Sequence, residues 1–239
     1  MPQPFFSIVV PTRGRPKYLR DAVVSALKQD FEDFEVVVSD NFNDGQTQAL
    51  LGEFVVDRRF RCVRTEQLLN MPEHWEFATQ HACGRYILVL TDRSVLKQGA
   101  LKAIHTAISA SETPVEVCSW RWSLYNDTAG SEYGVATMFE DERTESFLSS
   151  RLAEEFAHGL GGYVYCLPRG LNSCYESAFM QRVRDKFGTP FKPISPDYYS
   201  AFVMLGTSQE ILYIDKPLVV FQGNADSNGG RGMTGIDTG

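Results

Sequence analysis

No C-x-x-C pair occurs among the five cysteines of this 239-residue chain (Cys62, Cys83, Cys118, Cys166 and Cys174), so the usual spacing of a thiolate zinc site is missing. An odd and scattered set also argues against a disulfide framework, and we read these residues as the reduced thiols of a cytoplasmic protein. No apolar run is long enough to cross a membrane. The N-terminus passes from a short apolar strand into a charged turn, so neither a secretory leader nor an anchor is expected. Positive charge is scarce: 23 Lys and Arg stand against 30 Asp and Glu, a net charge of -7, which excludes a broad basic face for nucleic acid. A phosphate ligand would need a local basic site.

Several catalytic signatures are absent too. The first turn holds a single glycine, Gly14, where a dinucleotide fold needs G-x-G-x-x-G; there is no P-loop, no G-x-S-x-G elbow and no H-E-x-x-H helix. Nicotinamide, ATPase, serine hydrolase and zinc protease chemistries lose their usual support. What remains is an ordinary folded composition, 43% hydrophobic and 22% charged, with room for a substantial core.

Apolar runs and helical periodicities alternate along the first half. Strands are expected at 6–10, 34–39, 60–64 and 86–90, with helices at 16–28, 47–54, 72–83 and 98–109. That order implies a mostly parallel sheet flanked by helices, an α/β fold of the Rossmann-like kind, with ligands at the carboxyl ends of the strands. The loops at Arg13, Asp40 and Asp92 all follow strands and would converge on one crevice. Beyond Val115 the pattern thins: a strand at 115–122, helices at 145–157, 177–187 and 196–205, and short strands at 163–166, 211–214 and 218–221. We divide the chain into a single domain, 1–223, with an N-terminal half (1–112) and a smaller C-terminal half (113–223). Residues 224–239 are rich in Gly, Ser, Asn and Asp and read as a flexible tail or lid, in which Arg231 could close over a diphosphate.

The turn Pro11-Thr12-Arg13-Gly14-Arg15-Pro16 joins the first strand directly to the first helix. Backbone amides at a helix start attract anions, and Arg13, Arg15, Lys17 and Arg20 add charge where the helix dipole disfavours it. Such a conflict points to a ligand, although long side chains can also be simply solvated.

Four segments in order, I-V-V-P-T-R-G-R-P (Ile8 to Pro16), E-V-V-V-S-D (ending at Asp40), G-R-Y-I-L-V-L-T-D (Gly84 to Asp92) and P-D-Y-Y (Pro196 to Tyr199) with Y-I-D-K-P-L (Tyr213 to Leu218), resemble the family 2 glycosyltransferases of the GT-A fold. The resemblance spans nearly all of the chain up to about Phe221. It implies transfer of a sugar from a nucleotide-diphosphate donor, a UDP-sugar first of all, to a saccharide or other hydroxyl acceptor with inversion. Pro11, Thr12, Arg13, Arg15, Asp40, Asn41 and Asp92 would then bind the donor. Asp40, an acceptor-only carboxylate, would take a hydrogen bond from the base; the alternative is an Asp that caps its own turn.

Thr91-Asp92-Arg93-Ser94 occupies the place of the family's D-x-D signature, whose acids hold Mg²⁺ or Mn²⁺ on the diphosphate. Only Asp92 remains as a metal ligand, and Arg93 stands where the second acid belongs. A guanidinium can pair with phosphate oxygens directly, so Arg93 is assigned a catalytic charge-stabilising role in place of some or all of the metal's. The resemblance makes Asp197 the catalytic base, although an Asp in a first helical turn is also favoured by the dipole. Trp120 and Trp122 share a strand face and could stack a sugar or fill the core; His74 and His81 share a helix face and are read as surface or packing residues. Two other readings stay open: a silent nucleotide-sugar binding protein, suggested by Arg93 and Ser94, and a sugar-nucleotide pyrophosphorylase, which would need a glycine-rich loop that Pro11 to Arg15 lacks.

Overall fold

Seven consecutive buried residues, Phe6–Thr12, form the first strand, β1, and every other element of the crevice is placed from it. Phe6, Ile8 and Val10 point to one face of the sheet and Val9 to the other, so the strand is covered on both sides, as a parallel central strand must be. The computed structural model describes residues 3–42, 45–126, 130–134, 139, 141–159, 165–193 and 195–222.

β1 pairs in parallel with β2 (Phe34–Asp40), Phe6 facing Phe34 and Thr12 facing Asp40, and with β4 (Tyr86–Val89), Phe6 facing Tyr86. β3 (Phe60–Arg64) extends the parallel half beyond β2. Helix α1 (Pro16–Leu27) begins on a proline that presets its first turn and buries Leu19, Ala22, Val23 and Ala26 at helical spacing. It shares one face of the sheet with α4 (Ala100–Ala110), which buries Leu101, Ile104 and Ile108. Helix α2 (Gln46–Leu51) is short and follows the β2 loop. On the opposite face lies α3 (Met71–Gln80), opened by a capping box between Asn70 and Glu73. Helices α5 (Ser149–Ala157), α6 (Ser177–Phe187) and α7 (Pro196–Leu205) contribute Leu152, Phe179, Met180, Ala201 and Met204 to the second core on that face.

The sheet runs β3-β2-β1-β4-β9-β6-β10-β5. It is parallel through β4, then joined by antiparallel β9 (Ser173–Glu176) to β6 (Val117–Asn126), which lies parallel to the long β10 (Glu210–Gln222). β5 (Ser94–Leu96) and β8 (Thr144–Leu148) pair antiparallel with two stretches of β10, and β7 (Ser131–Gly134) pairs with β6. The first half of the chain follows the sequence expectation closely. The second half departs from it. The helix expected at 145–157 is a strand to Leu148 and a helix only from Ser149, because Thr144 to Leu148 is needed as an edge partner for β10. The two closing strands are one, with a bulge in the register that accommodates Pro217. Tyr165 and Cys166, expected in a strand, lie in a 3₁₀ turn, while the rest of that expected strand and the 224–239 tail with Arg231 lie outside the described residues.

Gly84, part of the third family-like segment, has a packing reason. A Cβ there would sit 2.5 Å from the Ser7 backbone nitrogen and 2.6 Å from the Phe6 carbonyl carbon. Beside it, Ser7 donates to Glu35 at 2.5 Å and accepts from the Gly84 N–H at 2.7 Å, while Arg61 donates to Glu35 at 2.8 Å. Gly84→Ala should cost about 1–3 kcal/mol through forced separation of two backbones, read as a lower urea midpoint at unchanged slope. An unchanged midpoint would show that the approach is looser than this geometry.

Candidate functional site

At the carboxyl ends of β1, β2 and the loop after β4 the register brings Thr12, Asp40 and Asp92 together, all buried. Thr12 Oγ1 donates to Asp92 Oδ2 at 2.9 Å, and Arg15, at the N-cap of α1, donates from NH1 to Asp92 Oδ1 at 3.4 Å. The strand-to-helix turn thus closes on Asp92 from above. Burial pushes the Asp92 carboxyl above its ordinary value, and the charge of Arg15, the Thr12 hydroxyl and Arg93 pull the other way. Arg64 approaches Asp40 with Nε 3.8 Å from Oδ2.

The remaining predicted residues divide. Pro11 is buried in β1, and Arg13 is exposed beyond it. Asn41 is buried, and its side chain is engaged by the 65–69 segment: Nδ2 donates to Leu69 O at 2.8 Å, while Oδ1 accepts from Leu69 N at 2.9 Å and Thr65 Oγ1 at 3.3 Å. It shapes the wall beside Asp40. Arg20 turns away and forms a two-bond pair with Glu53 at 2.8 and 3.1 Å, so it adds nothing to the crevice. Arg93 is half-buried, and its carbonyl accepts from Gln222 N at 3.3 Å, which fastens the loop after β4 to the end of β10.

The donor set at Asp92 does not fit a divalent cation. Both carboxylate oxygens already accept hydrogen bonds, Arg15 and Arg93 put positive charge beside them, and no group of three His, Cys, Asp or Glu side chains able to hold a metal occurs among the described residues. A cation there would meet repulsion where it needs ligands.

A second cluster stands on α7. Asp197 lies in its first turn, where Ser195 Oγ donates to Oδ1 at 3.0 Å, and Arg169 NH1 lies 3.9 Å from Oδ2. The Arg169 guanidinium rests 4.3 Å from the centroid of the Trp122 ring and 5.4 Å from that of Tyr198. Trp122 in turn packs on Phe221, the register partner of Ser94, so ring contacts link this cluster to the Arg93 loop. Trp120 and Trp122 are both buried, in the core rather than on a surface a sugar could reach.

Sequence reasoning missed two residues. His74 is buried on α3, with Nε2 2.9 Å from Ser39 Oγ, directly beneath the Asp40 end of β2. Burial holds its imidazole down at about 4, with the Arg13 charge acting the same way and Ser39 opposing. The sequence carried no sign of this beyond its helical face. Arg169 did leave a trace, as a lone cation in the apolar segment Cys166-Leu167-Pro168-Arg169-Gly170-Leu171.

Three comparisons bear on this arrangement. The model of the glycosyl transferase family 2 matches residues 7–158. The glycosyltransferase GlyG of Streptococcus pneumoniae is 22% identical over 132 residues, 55% of this chain and 43% of its own. A GalNAc(5)-diNAcBac-PP-undecaprenol beta-1,3-glucosyltransferase of Campylobacter jejuni is 28% identical over 103 residues, 42% of this chain and 33% of its own. The chain therefore aligns with less than half the length of either curated relative. Among solved structures, residues 1–349 of S. aureus TarS in complex with UDP-GlcNAc superpose with a TM-score of 0.71 at 19% identity, covering 93% of this chain and 59% of that one. The UDP complex of the same protein gives 0.69 at 20% identity, covering 92% and 61%. The fold is that of the GT-A glycosyltransferases, and the chain belongs to glycosyl transferase family 2. Among the described residues no helix is long and apolar enough to cross a membrane.

The buried His74 has a consequence for stability. Its folded value lies below the ordinary 6.5, so the unfolded state binds more protons between pH 6.5 and about 4, and stability falls as pH drops through that window. The loss should approach roughly 3 kcal/mol below pH 4. Denaturant titrations of wild type and His74→Gln from pH 7 to pH 4 should converge as pH falls; parallel curves would refute the assignment.

Proposed function

We propose that this family 2 protein transfers a sugar from a UDP-sugar to a hydroxyl acceptor with inversion, using Asp197 as the base and arginines in place of a metal ion. The observation that carries the proposal is the convergence of Thr12, Asp40 and Asp92 at the ends of parallel strands, beside the amino end of α1. A base can hydrogen-bond to Asp40, and a diphosphate can lie between the α1 start and the Arg93 loop, where backbone amides and guanidinium groups offer positive charge. The neighbouring TarS structures, with UDP-GlcNAc and UDP bound, support a uridine carrier.

The chemistry follows from the charges. Asp197 removes the acceptor hydroxyl proton as that oxygen attacks the anomeric carbon. The bond from that carbon to the diphosphate oxygen breaks on the opposite side, and its electron pair leaves with UDP. Arg15 and Arg93 balance the charge that accumulates on the departing phosphates, a task for which a planar, permanently charged guanidinium is suited. Asp92 holds Arg15 in position rather than binding an ion.

Two measurements test this reading. Release of UDP from a panel of UDP-sugars, with water or a hydroxyl acceptor, should persist in a chelator, and complete loss of turnover on chelation would sink the metal-free mechanism. Asp197→Asn should keep UDP affinity and lose about 10²–10⁴-fold in turnover, the range of general-base contributions. A folded variant with normal transfer would remove Asp197 from the mechanism. A wild-type protein that binds UDP-sugars tightly and releases no UDP would instead be a silent binding protein, the reading that Arg93 and Ser94 favour.

A further inference from the structure

Arg169 belongs to none of the family-like segments, and it is built into the molecule with unusual care. The Tyr175 hydroxyl donates to Pro168 O at 2.7 Å, Asn172 N donates to Arg169 O at 3.1 Å, and Asn172 Nδ2 bridges to Trp120 O and Leu167 O at 3.0 and 3.2 Å. Gly170 N donates to Ser200 Oγ at 3.2 Å, and that hydroxyl donates to Asp197 O at 2.8 Å. The loop is therefore tied directly to the first turn of α7. Its backbone has little freedom left.

The side chain is the informative part. It is 12% exposed, its Nε is buried with no hydrogen-bond partner among the described residues, and its nearest carboxylate oxygen, Asp197 Oδ2, is 3.9 Å away. Burying a guanidinium is costly, and a structural ion pair recovers the cost by closing into short, charge-assisted bonds. Arg184 and Glu76 do so here at 2.7 Å, with side chains 14% and 15% exposed. Arg169 is as deeply buried and does not close. Its guanidinium rests 4.3 Å from the centroid of the Trp122 ring, beside the carboxylate. Ser195 donates to Oδ1, and Oδ2 keeps the Arg169 guanidinium as its positive neighbour.

We propose that Arg169 is the positioning residue of the base: it holds Asp197 Oδ2 toward the acceptor and balances its negative charge until the proton arrives. The proposal rests on Asp197 serving as base. In the step itself the acceptor proton passes to Oδ2, the acceptor oxygen bonds to the anomeric carbon, and UDP leaves with the electron pair of the broken bond. Arg169 takes no proton. It turns from an ion-pair partner into a cation beside a neutral acid. The other polar groups around this carboxylate are Ser195, the Tyr175 hydroxyl, which feels the Asp197 charge, and Tyr198. Helix α5, packed on α7 through Phe156 against Phe202, carries Arg151, Glu154 and Glu155.

The test compares Arg169→Lys, which keeps charge, with Arg169→Met, which keeps apolar contact on Trp122, and with Asp197→Asn. Each is measured for UDP affinity by calorimetry and for UDP release from whichever of UDP-GlcNAc, UDP-glucose, UDP-galactose or UDP-GalNAc the wild-type protein turns over fastest. Arg169→Met should lose about 30-fold in kcat with donor KM changed less than about threefold, and Arg169→Lys should stay within about fivefold of wild type. Equal losses in the two variants would overturn the proposal, as would a loss that falls on KM. A methionine variant that no longer binds UDP counts against it as well, since Arg169 would then be holding the fold. Retained turnover in Asp197→Asn would strike the base assignment itself, and a wild type that releases UDP from none of the four donors would remove both.

Discussion

The parallel register of β1 between β2 and β4 is the constraint on which the site depends. Because Phe6 faces Phe34 on one side and Tyr86 on the other, the strands start level and their carboxyl ends arrive level. The Thr12 hydroxyl then reaches Asp92 at 2.9 Å, across eighty residues of sequence, inside a buried volume where an unmet carboxylate would be expensive. A one-residue slip in either pairing would turn Thr12 to the wrong face and leave Asp92 without its donor. Gly84 and Ser7 fix the other end of the same strands, through backbone contact that a Cβ would prevent. Packing at the bottom of the sheet therefore sets the chemistry at its top.

The carboxylates of the candidate site share an electrostatic style. Asp40, Asp92 and Asp197 each face an arginine, at 3.8, 3.4 and 3.9 Å. Some pairs elsewhere in the fold are tighter, Arg61 with Glu35 at 2.8 Å and Arg59 with Asp57 and Arg184 with Glu76 at 2.7 Å, whereas Arg121 with Asp215 at 3.4 Å and Arg85 with Glu176 at 3.5 Å are comparable. A closed pair is neutral to its surroundings and contributes only geometry. In the looser pairs the arginine stands beside the carboxylate without a short charge-assisted bond between them. Arg169 also rests 4.3 Å from the centroid of the Trp122 ring, and Asp92 also accepts from Thr12 at 2.9 Å.

Legibility from sequence followed the same physics. Buried parallel strands are apolar on both faces, so β1, β2 and β4 appear as continuous runs, and the loops after them are legible in the sequence. β9 could not be found that way. Its residues, Ser173, Cys174, Tyr175 and Glu176, show no apolar run, because Ser173 and Tyr175 satisfy their hydroxyls inside the fold, on Arg169, Pro168 and each other. β5 has three residues and no period to read. β8 reads as a helix start since its edge position leaves Thr144, Ser146 and Leu148 outside the core, with Phe147 alone buried. Pro217 suggested a break between strands, and a bulge absorbed it instead. Asp197 could be located by its family-like context, but its partner Arg169 could not, since the two are joined by β9 and α7 packing rather than by spacing.

This division also explains why an acidic protein can present a cationic crevice. The net charge of -7 describes the whole surface, whereas a bound diphosphate senses mainly groups within about a Debye length, about 8 Å in physiological salt. The strand-to-helix turn contributes Arg15 and the start of α1, and the loop after β4 contributes Arg93, whose charge acts on Asp92. Asp92 is buried and paired with Arg15, and Glu53 is committed to Arg20. A metal site needs several carboxylates turned toward one point; Asp92 is turned instead toward Thr12 and Arg15. Arg93 sets a positive charge beside Asp92, and Arg15 on Asp92 and Arg64 near Asp40 add to the same balance.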